Sequence, residues 1–88
     1  MNQLLDTRAA INAIRTAFNP LICVVVVYGN DTRVRFRVLA PNKKPVFEIV
    51  NLPMRTMLDP SRLREEIESA RTRVMAKGFE LPGWNPPK

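Results

Sequence analysis

The sequence predicts an α+β fold: a helix, a three-stranded antiparallel meander and a second helix, with both helices on one face of the sheet. Three observations predict this α-β-β-β-α order. Apolar residues recur at steps of three and four near the N-terminus, they alternate with a period of two through the middle, and helical spacing returns after residue 59. The 88 residues suffice for one small core. We expect a single domain over residues 1–78 and an extended, proline-rich tail over residues 79–88.

The first helix is predicted from one stripe of side chains at helical spacing. Its members are Leu4, Thr7, Ile11, Ile14 and Phe18. The helix is expected to end before Pro20, because proline cannot continue a helix.

Three strands are predicted between the helices. A period of two and many β-branched residues mark segments 22–28, 33–39 and 46–52. Turns of a few residues connect them, so neighbouring strands run antiparallel and the arginine-rich second strand lies in the centre.

The turns also predict the strand register. The expected cross-strand pairs are Tyr28 with Arg33, Leu39 with Val46, Arg37 with Glu48, and Arg35 with Val50. The first two pairs flank the turns, and the other two follow from them by antiparallel counting.

This register sorts the side chains onto two faces. The inner face, which the helices cover, holds Cys23, Val25, Val27, Val34, Phe36, Val38, Phe47 and Ile49. The outer face holds Val24, Val26, Tyr28, Arg33, Arg35, Arg37, Glu48 and Val50. A solvated sheet face normally carries polar residues, so valines beside a row of arginines indicate a surface that is covered or bound.

A second helix is predicted to begin at Asp59 and Pro60 and to end near Gly78. Asp59 is a suitable N-cap, proline suits the first helical position, and glycine suits the C-terminal cap. Its expected buried positions are Leu63, Ile67, Ala70 and Val74. Residues 53–58 are interpreted as a linker in which Met54, Met57 and Leu58 fill the edge of the core.

The order of elements resembles the double-stranded-RNA-binding domain over most of the chain. In that family the second helix begins with a lysine-rich run directed at phosphate. The matching segment here, residues 59–65, keeps Arg62 and Arg64 but begins with the acidic Asp59. The resemblance therefore implies the fold and transfers no binding residue.

A second resemblance rests on a short segment at the end of the first helix. Phe18-Asn19-Pro20-Leu21-Ile22-Cys23 is similar to a Phe-x-Pro-Leu-x-Cys-like segment in small uncharacterised bacterial proteins with the same order of elements. That family has no assigned activity, so this resemblance also implies only the fold.

The composition excludes several kinds of chemistry and indicates a type of partner. There is no histidine and a single cysteine, Cys23, so no intramolecular disulfide, zinc cluster or histidine-based catalysis is expected. We expect no enzyme activity, cofactor or metal. The net charge is +6, and residues 33–55 carry six cations against one anion. Such a positive field favours nucleic acid or an acidic protein surface. No membrane segment is expected, and the chain is interpreted as a cytoplasmic protein.

These observations predict a small, basic, non-enzymatic binding module. The leading hypothesis is binding of nucleic acid, as RNA or a single strand, through Tyr28, Arg33, Arg35, Arg37, Lys43 and Lys44. The alternative is a protein-interaction module or homodimer through the same face, with Val24, Val26, Val50 and Trp84 as interface residues. Two further interpretations stay open: the tail covers the face with Trp84 on an arginine, or the arginines only keep the sheet soluble.

Overall fold

The structure, a computed structural model, describes residues 4–84 and confirms the predicted fold class and order of elements. The elements are α1 (Thr7–Ala17), β1 (Ile22–Tyr28), β2 (Arg33–Leu39), β3 (Pro45–Pro53), α2 (Met54–Leu58) and α3 (Pro60–Ala76). The sheet is antiparallel with the order β1-β2-β3. Residues 1–3 of the predicted domain and 85–88 of the predicted tail lie outside the described residues. Along the described chain, no helix combines the length and apolarity needed to cross a membrane.

Phe36, in the centre of the middle strand, is the hub of the hydrophobic core. It is fully buried, and its ring centroid lies 5.9 Å from that of Phe18 and 6.2 Å from that of Phe47. The helices cover the inner face of the sheet and complete the core. Their buried residues are Ala10, Ile14 and Ala17 of α1 and Leu63, Ile67, Ala70 and Val74 of α3. The predicted buried stripe of the second helix is therefore confirmed.

The predicted stripe of α1 is only partly correct. Ile14 and Phe18 are fully buried, but Thr7 and Leu4 are exposed. The reason is the helix start: the Asp6 side chain accepts a hydrogen bond from the Ala9 amide at 2.7 Å, so Leu4 precedes the helix altogether. Small alanines take the buried positions instead.

The observed register between β2 and β3 differs from the predicted one, because β3 contains two bulges. Arg37 faces Glu48 as expected, but Leu39 pairs with Pro45, not with Val46. Farther along, Val34 pairs with Leu52 and Phe36 with Ile49, so both Val50 and Asn51 lie opposite Arg35. Each bulge adds one residue to β3. Val46 is the extra residue of the first bulge, and Leu52 lies beyond the second, where the facing of side chains is reversed; both are buried in the core.

The predicted linker between sheet and second helix forms the short helix α2. Met57 is buried and Met54 and Leu58 pack against the core, so the expectation that these residues fill its edge is confirmed. At the next boundary Asp59 caps α3 by accepting hydrogen bonds from the amides of Ser61, at 3.0 Å, and Arg62, at 3.3 Å.

Residues 79–84 have no regular secondary structure but are anchored to the helical side of the molecule. Phe79, Leu81 and Trp84 pack against the hydrophobic core. The guanidinium of Arg71 in α3 donates one hydrogen bond to the carbonyl of Ala17 and another, from Nη2 at 2.6 Å, to the carbonyl of Pro82. The described part of the tail therefore lies with the core, away from the outer sheet face.

We expect Phe36→Ala to lower the free energy of unfolding by about 3–5 kcal/mol, because it removes the ring that joins the other two aromatic residues. The matched control is Val50→Ala on the outer face, expected to change the free energy by less than about 0.5 kcal/mol. Urea unfolding followed by circular dichroism measures both values. Equal losses for the two variants would contradict this description of the core.

Cys23 is a half-buried free thiol on the inner face of β1. Burial raises the pKa of Cys23 to about 12, although the charge of Arg15 acts in the opposite direction. The folded thiol stays protonated where an unfolded thiol, with a pKa near 9, already ionises. The stability that the protein gains from keeping this thiol neutral is therefore fully present below about pH 9. It is lost as the pH rises towards 12, because the thiol of the unfolded chain ionises first.

We expect iodoacetamide to modify Cys23 in the folded protein at least about a hundredfold more slowly than in urea, since the thiolate is the reactive form. Mass spectrometry of timed samples at mildly alkaline pH measures the two rates. Similar rates in both states would show that the thiol is accessible and ionised in the fold.

Candidate nucleic-acid interface

The outer face of β2 carries a row of arginines. Arg33, Arg35 and Arg37 are exposed, while the residues between them are fully buried, because successive side chains of a strand point to opposite faces. Alternate residues of a strand lie about 6.7 Å apart. The three guanidinium groups therefore follow one line along the centre of the sheet. We call Arg33, Arg35 and Arg37 the arginine row.

The three members of the arginine row have different partners. Arg37 Nε lies 3.1 Å from a carboxylate oxygen of Glu48, and both side chains are exposed, at 45% and 37%. Arg33 donates from Nη1 to the carbonyl of Thr32 at 3.3 Å. Within residues 4–84, Arg35 has neither an ion pair nor a side-chain hydrogen bond. The positive charge available to a partner is therefore greatest at the Arg33–Arg35 end.

Exposed apolar side chains border the arginine row. Val24 and Val26 of β1 are 39% and 37% exposed, and Val50 of β3 is 55% exposed. Ile22, at 40%, belongs to the same surface and was missed in the sequence, although it has the same parity as Val24. We call this surface, together with the arginine row, the outer face.

Tyr28 lies across the arginine row. Its Cα faces Arg33 on β2, yet its hydroxyl donates a 2.5 Å hydrogen bond to the carbonyl of Val50 on β3, so the side chain must cross the middle strand. The bulge at Val50 and Asn51 disrupts the regular ladder at this point, and the tyrosine supplies a donor there. The ring thus lies on the outer face, 40% exposed.

Lys43 and Lys44 lie in the turn after β2, at the opposite end of the row from Arg33. The turn is fixed by backbone hydrogen bonds from Lys43 to Ala40 at 2.7 Å and from Ala40 to Lys44 at 2.9 Å, and both lysines are exposed. The seven residues of β2, from Arg33 to Leu39, span about 20 Å. The lysines therefore extend the basic line beyond the strand.

The structure brings together most of the residues that the sequence predicted, but not all. The arginine row, Tyr28 and the three valines share the outer face, whereas Trp84 packs against the core and leaves those valines exposed. The tail interpretation is therefore wrong for residues 79–84.

One further cation was missed. Arg55 of α2 shares a cleft of about 430 Å³ with Arg33 and Asp31 at the end of the sheet. Pairing of Arg33 with Pro53 brings Arg55 there, and that register depends on the bulge.

We expect Tyr28→Phe to lower the free energy of unfolding by about 0.5–1.5 kcal/mol, since it removes only the hydrogen bond to Val50. Denaturant unfolding beside the wild type measures this difference. A variant as stable as the wild type would show that the tyrosine hydroxyl gains no more free energy from this hydrogen bond than from water.

Comparison with protein-family models, curated proteins and solved structures gives no match to this chain.

Proposed function

We propose that this protein is a non-enzymatic module that binds single-stranded nucleic acid, with RNA as the leading ligand, on the outer face of its sheet. The observation that carries the proposal is the arginine row, which presents three guanidinium groups on one exposed line with the ring of Tyr28 across it. Arginine forks suit phosphate oxygens, and aromatic rings stack on bases.

The free charges support contact with several phosphates. Arg35 has no partner in the described part of the chain, and Arg33 contacts only a backbone carbonyl. The Arg37–Glu48 pair is solvent-exposed and therefore worth only about 0–1 kcal/mol, so a phosphate can compete for Arg37. With Lys43 and Lys44 beyond one end and Arg55 beyond the other, the basic line is longer than the strand itself.

A single strand suits this surface better than a duplex. An open sheet face offers bases room to lie flat, and sequence-tolerant binding of single strands uses a charged track with aromatic platforms. The start of α3, by contrast, has its first amides occupied by the Asp59 carboxylate, which also lies 3.9 Å from Arg62 Nε. The helix start that contacts phosphate in double-stranded-RNA-binding domains is therefore acidic and capped here.

The chemistry of the remaining side chains supports binding without catalysis. The chain has no histidine, and the one thiol has a pKa of about 12 because it is buried. A half-buried, free cysteine also suits the reducing cytoplasm, where we place the protein.

We expect a fluorescently labelled oligouridine to bind with an affinity that falls roughly fiftyfold between 50 and 200 mM salt if about four phosphates are engaged. Arg35→Gln should reduce the slope of log affinity against log salt by about 0.7, the value for one lost phosphate contact. Fluorescence anisotropy titrations measure both effects.

The matched control is Arg73→Gln, which makes the same change of charge on an exposed position of α3. Its salt slope should equal that of the wild type. A flat salt response of the wild type, or equal effects of the two substitutions, would refute binding at the outer face. Tighter binding of a duplex of equal length would refute the preference for single strands.

The exposed valines favour a second candidate, a protein-interaction module whose partner has an acidic surface with an apolar centre. Val50→Lys separates the candidates, because it adds a cation beside Arg35 and removes an apolar contact. It should strengthen binding of a nucleic acid and weaken binding of a protein partner.

A further inference from the structure

The free edge of β1 is a strand edge without protection. β1 lies at one side of the sheet, pairs with β2 over all seven residues without a bulge, and contains neither proline nor charge. In residues 4–84, no other segment makes a backbone hydrogen bond to this edge. A regular, apolar edge of this kind presents unpaired amide and carbonyl groups that can extend a sheet.

The opposite edge, on β3, is protected in several ways. Pro45 and Pro53, which lack an amide hydrogen, stand at its two ends, and the two bulges interrupt its regularity. The Lys77 ammonium donates a hydrogen bond to the carbonyl of Val46. The protein therefore guards one edge of its sheet and leaves the other regular.

We propose that β1 pairs with β1 of a second copy of this chain, antiparallel about a two-fold axis at Val25, to form a continuous six-stranded sheet. The cross-strand pairs would be Ile22 with Tyr28, Cys23 with Val27, Val24 with Val26, and Val25 with itself. Every pair joins uncharged, largely apolar side chains, which stabilise antiparallel neighbours, and no like charges meet.

The charges of β2 favour this edge contact over stacking of two outer faces. In the edge dimer the two arginine rows are separated by three strand spacings, about 14 Å, which exceeds the Debye length of about 8 Å at physiological salt. Stacked faces would lie about 10 Å apart and enclose six arginines against two glutamates that are already paired within each chain. The same arginines that suit a polyanion therefore oppose a face-to-face dimer.

This proposal does not depend on nucleic-acid binding. If both hold, the dimer places two arginine rows on one continuous outer surface, with the exposed side chains of the two β1 strands between them.

Sedimentation equilibrium over about 10 μM to 1 mM tests association, because weak dimers dissociate in this range. We expect a monomer–dimer equilibrium. Amide hydrogen exchange measured by NMR over the same range identifies the contact. Alternate amides of β1, which are unpaired in the monomer, should become protected as the concentration rises. A monomer at all concentrations, or a dimer with unchanged exchange in β1, would overturn the proposal.

Two double variants test the pairing of Val24 with Val26. Val24→Lys with Val26→Lys places like charges opposite one another twice in the dimer and should weaken association at least about tenfold. Val24→Lys with Val26→Glu places opposite charges there and should restore much of the loss. Both positions are exposed in the monomer, and circular dichroism verifies that each variant is folded.

The control variant is Val50→Lys, which changes an outer-face valine far from the edge of β1. It should leave the association constant unchanged. Dissociation of the dimer by Val50→Lys, or equal association of the two double variants, would show that the copies meet by another surface.

Discussion

Burial of β2 under the helices is the constraint on which the rest of the structure depends. Val34, Phe36 and Val38 have no exposed surface, so the residues that alternate with them must face outwards. A slip of one residue in the register would bury three guanidinium groups, each at a cost of several kcal/mol, and expose the aromatic core. The position of the arginines is thus a consequence of the core, although the arginines themselves are exposed.

The same alternation explains how much of the fold and of the candidate site the sequence predicts. The bounds of β1 and β2, the two faces of the sheet and the buried stripe of α3 all follow from local periodicity, and the structure has them as expected. The Arg37–Glu48 pair also follows, because it lies between the two bulges of β3. Where apolar residues keep one spacing over several helical turns or along a whole strand, few alternative secondary structures fit the sequence.

The parts that escape prediction depend on contacts remote in the sequence. The bulge at Val50 and Asn51 has no glycine or proline to indicate it, and it decides both the facing of Leu52 and the acceptor for Tyr28. One of the open interpretations placed Trp84 over an arginine, but the structure has it against the core, where Arg71 anchors the chain. Arg55 reaches the cleft only because α2 follows the strand directly.

The two hydrogen bonds that Arg71 donates have a consequence for how related chains can vary. It holds the C-terminal segment through the main-chain oxygen of Pro82, while its other arm binds the end of α1 at Ala17. A main-chain carbonyl is present whichever residue occupies position 82, so that residue can change during evolution without loss of the hydrogen bond. Position 71 is not, since lysine lacks the planar fork that reaches two carbonyls at once. Among related proteins, arginine at position 71 would therefore stay invariant while the residue at position 82 varies.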